Sequence, residues 1–273
     1  MRQAAFEQIL ILGTGTLALK IAKNFYGLLD DSSPKLLCAS YLESPLSLFS
    51  SWCKRAKIPY ANFQNKAALS AYLQTLEKPT LVISAHNYYL FPAEILQKPN
   101  LKIINYHNSL LPLHRGLNAQ MWSIFMQDSL SGITWHCVND KIDCGEIIIQ
   151  KPIPLDSTHT YLSLTQQQLE LGFAALMEIR DSLLRWNLDT KVQDFSRDSN
   201  LHKAKDLPNK GYLDLSWILE QKSAFLRCMD CGKSRILPNP KIVLQGKEFE
   251  ILHYIQNPNN AIGFDLTLGE NNG

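Results

Sequence analysis

The chain has 273 residues, of which 45% are hydrophobic and 19% charged, and its formal net charge is +2. This length allows one large domain, or one domain with a small appendage. The net charge is too small to indicate, by itself, a basic face that binds nucleic acid. The short apolar stretch near the N-terminus is interrupted at Gly13, and no window approaches eighteen uninterrupted apolar residues. The sequence therefore predicts neither a signal-peptide core nor a membrane span.

The first half of the chain alternates short apolar runs with amphipathic segments, which is the pattern of βαβ units around a parallel sheet. Strands are predicted at 9–12, 36–39, 81–85 and 102–104, and helices at 16–26, 46–56 and 69–76. The continuous apolar character of these strands fits burial on both faces. We therefore predict an α/β fold, a Rossmann-like and mostly parallel sheet with helices on both faces.

The second half of the chain has a different pattern. It predicts strands at 132–138 and 146–150, a long helix at 161–186, a helix at 215–226 and a hairpin from 241–244 and 249–252. We divide the chain into a main domain at 1–188, a polar linker at 189–211 and a small α+β C-terminal subdomain at 212–273. The linker is polar, with charge pairs and a Pro-Asn-Lys-Gly turn.

Six cysteines are spread along the chain, at positions 38, 53, 137, 144, 228 and 231. Without a secretory signal, we expect them to be reduced thiols in a cytoplasmic protein. Cys228 and Cys231 have a CxxC spacing, but a structural zinc site needs two more ligands and no second pair exists. No metal is predicted. Four histidines without a partner pattern are predicted to lie on the surface: His114, His159, His202 and His253.

A glycine turn, Gly13-Thr14-Gly15-Thr16-Leu17-Ala18, lies between the first predicted strand and the first helix. It fits the G-x-G-x-x-G/A pattern of dinucleotide-binding folds, in which backbone N–H groups approach a phosphate at a helix N-terminus. A glycine turn after the first strand of any α/β fold would look similar, and that structural interpretation is favoured. An acidic residue at the end of the second strand would strengthen the dinucleotide interpretation, but Glu43 lies past that strand.

The segment from Asn105 to Gly116 reads Asn-Tyr-His-Asn-Ser-Leu-Leu-Pro-Leu-His-Arg-Gly. It follows a short apolar strand, so its polar groups emerge at the carboxyl end, where open α/β sheets place their ligands. Asn105 and His107 are two residues apart and point to the same side of an extended backbone. An asparagine N–H beside an imidazole can polarise a carbonyl group and hold the oxyanion that forms from it.

Two further segments follow at short spacing, Gly-Ile-Thr-Trp-His at 132–136 and Asp143-Cys-Gly-Glu-Ile-Ile-Ile-Gln150. A carboxylate on the loop between two strands can orient a histidine and help it to carry a proton near neutral pH. By itself, Asp-x-Gly is a common turn. The order and spacing of all three segments carry the specificity.

Together these segments resemble the family of formyltransferases that use 10-formyltetrahydrofolate. The family includes methionyl-tRNA, glycinamide ribonucleotide and amino-sugar formyltransferases and the formylation domains of peptide synthetases. The resemblance covers about Ile9 to Gln150 and extends weakly to Leu183. It implies that Asn105, His107 and Asp143 are catalytic, with the first two holding the oxyanion and Asp143 orienting His107 and helping to shuttle the proton of the amine.

The resemblance also implies the ligand contacts. The formyl donor, 10-formyltetrahydrofolate, is expected to bind mostly through the backbone of two loops, with contacts from Ser84, Asn87, Leu90, Phe91, Val138, Asp140, Ile142 and Gly145. The acceptor amine is expected to be bound by Gly13, Gly15, Thr16, Arg115, Asn118 and Gln120. His136 matches the second histidine of the family's Thr-x-His pattern, and it is assigned equally to a supporting role near the donor loop and to core packing.

The acceptor is predicted from what the chain has in addition to that core. Only about sixty residues follow the linker and they are not markedly basic, which argues against tRNA. The acceptor is therefore expected to be a small amine, and a nucleotide-linked amino sugar is favoured. A carrier-bound aminoacyl group is the second choice, because the Gly-x-Thr-Trp-His pattern resembles that of secondary-metabolite formyltransferases. A homodimer is an expectation.

Three interpretations from other classes stay open at this point. One is a hydrolase that transfers the formyl group of 10-formyltetrahydrofolate to water. Another is an NAD-dependent oxidoreductase, which the glycine turn favours but which leaves Asn105 to Gly116 unexplained. The third is a binding protein without catalysis, against which the intact set of catalytic residues argues.

Overall fold

The structure is a computed structural model, and it describes residues 5–28, 33–196, 200–234, 236–257 and 259–270. Residues 197–199 of the predicted linker and the two ends of the chain lie outside the described residues. The chain forms two compact units. The first contains the described residues of 1–113, 133–151 and 168–199, and the second those of 114–132, 152–167 and 200–273.

Seven strands of the described chain form one sheet in the order β3-β2-β1-β4-β5-β7-β8. The strands of the chain are β1 Gln8–Gly13, β2 Lys35–Tyr41, β3 Tyr60–Phe63, β4 Thr80–Ala85, β5 Leu101–His107, β6 Arg115–Gly116, β7 Leu130–Cys137, β8 Ile147–Pro154, β9 Leu201–His202, β10 Lys241–Leu244, β11 Lys247–Gln256 and β12 Phe264–Glu270. The pairs from β3 to β5 are parallel, and β5 pairs antiparallel with β7.

Helices cover both faces of this sheet, as predicted. They are α1 Gly15–Tyr26, α2 Leu48–Arg55, α3 Lys66–Gln74, α4 Ala93–Leu96, α5 Ala119–Phe125, α6 Tyr161–Leu184 and α7 Leu219–Met229, with a 3₁₀ turn at Pro208–Gly211. Alternate residues of β1 divide between two apolar cores. Ile9 and Ile11 pack with α1, α2 and α6, whereas Leu10 and Leu12 pack with α3 and α4. The α/β fold class is therefore confirmed.

The antiparallel pair β5–β7 separates a polar face from an apolar one. Asn105 lies opposite His136, Tyr106 opposite Trp135, and His107 opposite Thr134. Side chains alternate along a strand, so the aromatic pair points into the core while the flanking polar residues point away from it. The rings of Tyr106 and Trp135 lie 5.6 Å apart and are buried. This packing fixes the strand that carries the predicted catalytic residues.

Replacing Tyr106 by phenylalanine should not destabilise the fold. The Tyr106 hydroxyl is buried without a hydrogen-bond partner among the described residues, and burial raises the pKa of this phenol. An unsatisfied buried donor costs about 1–3 kcal/mol, so we expect the free energy of unfolding to stay constant or rise by about 1 kcal/mol in urea titrations. Trp135→Phe is the matched contrast, because Trp135 Nε1 donates to Gly172 O at 2.8 Å and its loss should destabilise. Equal losses in both variants would contradict this account.

The second unit contains two smaller sheets. Strands β10, β11 and β12 form an antiparallel sheet, and β6 pairs in parallel with β9. The predicted hairpin is present, with β11 longer than expected. The predicted helix at 215–226 is displaced to α7, because Asp214 accepts hydrogen bonds from the N–H and hydroxyl groups of Ser216 in a turn that precedes it.

The prediction of surface histidines is wrong for three of the four. His114, His159 and His202 are 6%, 8% and 7% exposed, while His253 is exposed. His114 lies between Asp128 and His202, with nitrogen contacts of 2.7 and 3.1 Å, and Trp122 stacks on His202 at 4.3 Å. His159 contacts Asp156 at 3.0 Å. These polar partners make the burial acceptable. The contact between His114 and His202 joins segments 88 positions apart, which a single sequence does not reveal.

Candidate active site

The polar residues of the candidate site gather at the carboxyl edge of the large sheet. In the registers, Gly13 lies beside Ala85 and Ser84 beside Asn105, so the ends of β1, β4 and β5 adjoin one another. The glycine turn after β1 thus lies two strands from Asn105, or about 10 Å at the usual strand spacing. This edge is where α/β sheets bind ligands.

Asn105 is held by hydrogen bonds on both sides of its amide. Ser84 Oγ donates to Asn105 Oδ1 at 2.7 Å, and Asn105 Nδ2 lies 3.2 Å from His136 Nε2. The contact with His136 follows from the register, since the two residues are direct neighbours across β5 and β7. The side chain that the sequence indicates as an oxyanion donor is therefore fixed in orientation.

The hydrogen atoms in this set follow from its acceptors. His136 Nδ1 lies 2.8 Å from the carbonyl oxygen of Cys137, which can only accept, so Nδ1 carries a hydrogen. In neutral His136, Nε2 then accepts one N–H of Asn105. The amide has a second N–H, and this N–H can be donated to a ligand oxygen.

Asp143 lies between two histidines. Its Oδ2 is 3.5 Å from His107 Nδ1, and its Oδ1 is 3.5 Å from His136 Nε2. Both rings are buried, and the carboxylate is 12% exposed, so solvent weakly screens the electrostatic interaction of the carboxylate with either ring. The structure thus brings Asn105, His107 and Asp143 together. It adds His136, which the sequence assigned equally to a supporting role near the donor loop and to core packing.

The loop that carries Asp143 is shaped by close backbone approach. Asp143 has a φ of 52°, in the left-handed region. A Cβ on Gly145 would lie 1.6 Å from Cys137 O, so only glycine fits where the loop passes β7. The Asp-x-Gly pattern is therefore a steric requirement here as well as a turn.

Gln193 holds this loop, and sequence reasoning did not identify it. Its Nε2 donates to Asp143 O at 2.9 Å and to Gly145 O at 2.7 Å, and the side chain is 6% exposed. Gln193 lies in the predicted linker, where Lys191 also pairs with Ile147. No local pattern marks it, because its contacts span about fifty positions of the chain.

A second polar set holds the segment after His107. Thr134 Oγ1 donates to Ser109 O at 2.7 Å, and Gln150 Nε2 donates to Thr134 Oγ1 and to Leu111 O at 2.9 and 2.8 Å. Thr134 and Gln150 therefore hold the Ser-Leu-Leu-Pro loop in place by hydrogen bonds to its backbone.

The residues predicted to bind the donor lie in the first unit, with Ser84 near the end of β4 and the others in the segments after β4 and β7. Asn87 Nδ2 donates to Ser84 Oγ at 3.3 Å, and Phe91 and Val138 pack against the same apolar cluster. Leu90 is 56% exposed, Ile142 is 38% exposed and Asp140 is exposed. Leu90 and Ile142 therefore leave apolar side chains exposed on these loops, and such side chains are what a flat heterocycle would cover.

His86, in the first of these loops, has a φ of 55°. Burial lowers the pKa of His86, so its ring is neutral near pH 7. Its carbonyl oxygen accepts the Thr14 hydroxyl at 2.8 Å, which ties this loop to the glycine turn.

The glycine turn itself has an acidic neighbour. Gly15 N donates to Glu43 Oε1 at 2.9 Å, and Gly15 has a φ of 65°. Gly13 is required by space, since a Cβ there would lie 2.0 Å from Ala85 O. Glu43 follows β2 by two residues, yet its carboxylate reaches the start of α1, where Thr16 is exposed.

Three predicted acceptor contacts belong to the second unit. Arg115 lies in β6, Asn118 accepts the Tyr161 hydroxyl at 3.3 Å, and Gln120 is 3% exposed and donates to Thr165 Oγ1 at 3.2 Å. Gln120 is thus used inside the second unit. Their role in acceptor binding remains a prediction.

The described residues contain neither a cluster of metal-ligating side chains nor a helix that could span a membrane. In that part of the chain, no group of three or more His, Cys, Asp or Glu side chains is arranged to hold a metal ion. Cys228 and Cys231 are buried free thiols. None of the helices described here combines the length and the apolar character needed to cross a bilayer.

Comparison with known proteins gives the family. The family model described as formyl transferase matches residues 44–179. The chain is 30% identical over 152 residues to the GDP-perosamine N-formyltransferase of Brucella melitensis, covering 55% of this chain and 57% of that protein. It therefore spans just over half the length of that relative.

Two further proteins extend the comparison. The phosphoribosylglycinamide formyltransferase of Haemophilus influenzae is 30% identical over 171 residues, or 58% of this chain and 76% of that enzyme. An N-formyltransferase structure from Helicobacter canadensis has the same fold, with a TM-score of 0.70 and 15% identity over 96% of this chain and 98% of that one. Sequence match, fold and the Asn105 site agree, and the chain belongs to the formyl transferase family.

Proposed function

We propose that the protein transfers a formyl group from 10-formyltetrahydrofolate to the primary amine of a nucleotide-linked amino sugar. The observation that carries this proposal is the Asn105 set, in which an oriented amide keeps one N–H for a carbonyl oxygen beside a His107–Asp143 pair. Such a set suits acyl transfer, where negative charge develops on the carbonyl oxygen.

The residues also suit the donor. The exposed Leu90 and Ile142 offer apolar surface for a pterin, and Ser84 orients Asn105 at the end of the same strand layer. When bound, 10-formyltetrahydrofolate supplies an N-formyl carbon that a neutral amine can attack. Asn105 donates its second N–H to the formyl oxygen and stabilises the negative charge that develops there.

His107 and Asp143 transfer the proton from the acceptor amine to the leaving nitrogen of the donor. The amine loses a proton as its new C–N bond forms, and the nitrogen of the donor must gain one as the old C–N bond breaks. His107 can hold that proton between the two nitrogens, and Asp143, 3.5 Å from His107 Nδ1, stabilises the charged ring. The proton that leaves the acceptor is thus returned to the leaving nitrogen, and no net acid or base is consumed.

The choice of an amino sugar draws support from relatives. The Brucella enzyme is a GDP-perosamine N-formyltransferase, and the Helicobacter structure is a complex with folinic acid and dTDP-3-aminofucose. A carrier-bound aminoacyl group and methionyl-tRNA stay as alternative acceptors. A cytoplasmic location and a homodimer are part of the same proposal.

The test is an acceptor panel. Purified protein is incubated with 10-formyltetrahydrofolate and, separately, GDP-, UDP- and dTDP-linked amino sugars, an aminoacyl carrier protein and methionyl-tRNA, and formylated products are measured by mass spectrometry. We expect transfer to at least one nucleotide-linked sugar, with kcat/KM at least about tenfold above that of any other acceptor class.

Three outcomes would contradict this assignment. Formate release at the same rate with and without amine would indicate a hydrolase. Transfer only to the carrier or to tRNA would replace the acceptor. Affinity for NAD without affinity for 10-formyltetrahydrofolate, in a binding titration, would replace the reaction itself.

A further inference from the structure

Glu43 holds an unusual place in the proposed acceptor region. A glycine turn at the start of a helix ordinarily favours a phosphate, because the helix dipole and free N–H groups attract negative charge. Here the Glu43 carboxylate accepts the N–H of Gly15 at 2.9 Å. The first turn of α1 has no acid of its own, and the Thr14 hydroxyl donates to His86 O instead of capping the helix. The negative charge at this helix start is thus supplied from β2's end.

Glu43 is held through both its carboxylate and its backbone carbonyl group. Tyr60 donates its hydroxyl to Glu43 Oε2 at 3.3 Å, and the side chains of Asn62 and Gln64 donate to the Glu43 carbonyl oxygen at 2.8 and 3.3 Å. Burial, together with the nearby Glu43 charge, raises the pKa of Tyr60 to about 12, so its hydroxyl stays neutral and remains a donor. Strand β3 therefore fixes the side chain at the turn.

Space remains in front of this arrangement. A Cβ on Gly15 would meet no atom of the described residues within 4 Å, and Gly15 and Thr16 are exposed. A phosphate entering that space would face a fixed carboxylate at about hydrogen-bond distance from the same N–H, and two like charges so close repel strongly. A hydroxyl group, in contrast, can donate to the carboxylate.

We propose that Glu43 is a specificity-determining residue for the acceptor: it keeps phosphate off the glycine turn and accepts a hydrogen bond from a sugar hydroxyl there. The proposal rests on the proposed function, because it concerns the acceptor of that reaction. Under this proposal, the hydroxyl-bearing ring of the acceptor lies on the glycine turn, and the diphosphate of the acceptor lies elsewhere. The turn lies two strands from Asn105, about 10 Å, a span that a sugar ring and its amine can bridge.

The first experiment measures phosphate exclusion without any turnover. Inorganic pyrophosphate is titrated calorimetrically into the wild-type protein and the Glu43→Gln variant. Glutamine can still accept the Gly15 N–H, so the helix start is preserved while the charge is removed. We expect the variant to bind pyrophosphate at least about tenfold more tightly than the wild type, a difference typical of one removed charge contact. Equal affinities would overturn the proposal.

Glu178→Gln is the control for net charge. Glu178 is 57% exposed in α6 of the first unit and pairs with Lys151 of β8 at 2.7 Å. This variant should bind pyrophosphate as the wild type does. An equal gain in both variants would show a general charge effect and would also overturn the proposal.

The second experiment measures the hydroxyl contact. With the acceptor found in the panel, Glu43→Gln should lower kcat/KM for the acceptor by about 10- to 100-fold, the usual effect of one hydrogen bond to a charged group, and leave KM for 10-formyltetrahydrofolate unchanged. A merely structural role would lower the Tm and affect both substrates. An unchanged kcat/KM for the acceptor would refute the hydroxyl contact.

A comparison of two acceptors shows which sugar carries the hydroxyl group that contacts Glu43. A ribonucleotide-linked acceptor is compared with its 2′-deoxyribonucleotide counterpart in the wild type and in Glu43→Gln. If the penalty of the variant disappears with the deoxy acceptor, the contacted hydroxyl is on the ribose; if it persists, the hydroxyl is on the amino sugar. Absence of transfer to every acceptor would defeat the proposed function, while the pyrophosphate titration would still decide whether Glu43 excludes phosphate.

Discussion

Asn105→Ala should lower kcat by about 100- to 1000-fold, the usual cost of losing one oxyanion donor. The side chain is fixed by Ser84 and His136, so its remaining N–H is already directed when the donor binds. Because that N–H acts on charge that develops during the reaction, KM for 10-formyltetrahydrofolate should change little. Steady-state kinetics with the best acceptor of the panel measures both quantities.

The matched control is Asn24→Ala, which removes a half-buried asparagine of α1 that accepts a hydrogen bond from Arg180 at 3.4 Å. It should retain the activity of the wild type. Ser84→Ala should fall between the two, since the amide of Asn105 loses one of its two restraints. If Asn105→Ala kept the wild-type kcat, Asn105 would not be the oxyanion donor, and the proposed role of this residue would be wrong.

Gly145→Ala should abolish most of the activity and destabilise the first unit. The added Cβ would lie 1.6 Å from Cys137 O, and neither backbone segment can yield without moving the loop that carries Asp143. Overpacking of this kind costs about 1–3 kcal/mol, and a displacement of about 1 Å at a catalytic group can cost about 100-fold in rate. Urea titrations and kcat measurements together test this expectation.

Gly246→Ala is the control for a glycine in a turn. Gly246 has a φ of 78°, and a Cβ there would meet no atom within 4 Å. Alanine at such a site costs about 1 kcal/mol of backbone strain and should leave the activity intact. If Gly145→Ala behaved like Gly246→Ala, the close passage of the Asp143 loop against β7 would not matter for function.

The parts of the fold that follow local patterns could be predicted from the sequence. Apolar runs predicted β1, β2, β4, β5, β7 and β8, and the strand alternation placed Asn105 and His107 on one side. Strand β3 was missed, since Tyr60 to Phe63 is only partly buried and has little apolar periodicity. Its role is to complete the sheet edge and position Glu43.

Contacts between distant segments could not be predicted. The place of His136 depends on the antiparallel register of β5 and β7, which one sequence does not show. The sequence places Glu43 past β2, and only the fold shows that its carboxylate turns back to Gly15. The buried His114–His202 pair was assigned to the surface for the same reason, because its partners are 88 positions apart.

Gln193 extends the part of the chain that supports the candidate site beyond the residues matched by the family model. The family match stops at residue 179, before the side chain that bridges the carbonyl groups of Asp143 and Gly145. A fragment cut to the matched residues would keep Asn105, His107 and Asp143 and yet lose the restraint on the third of them. Transplanting the proposed activity onto another scaffold therefore requires the stretch after α6, and recombination between relatives at residue 179 would separate the proposed catalytic loop from Gln193.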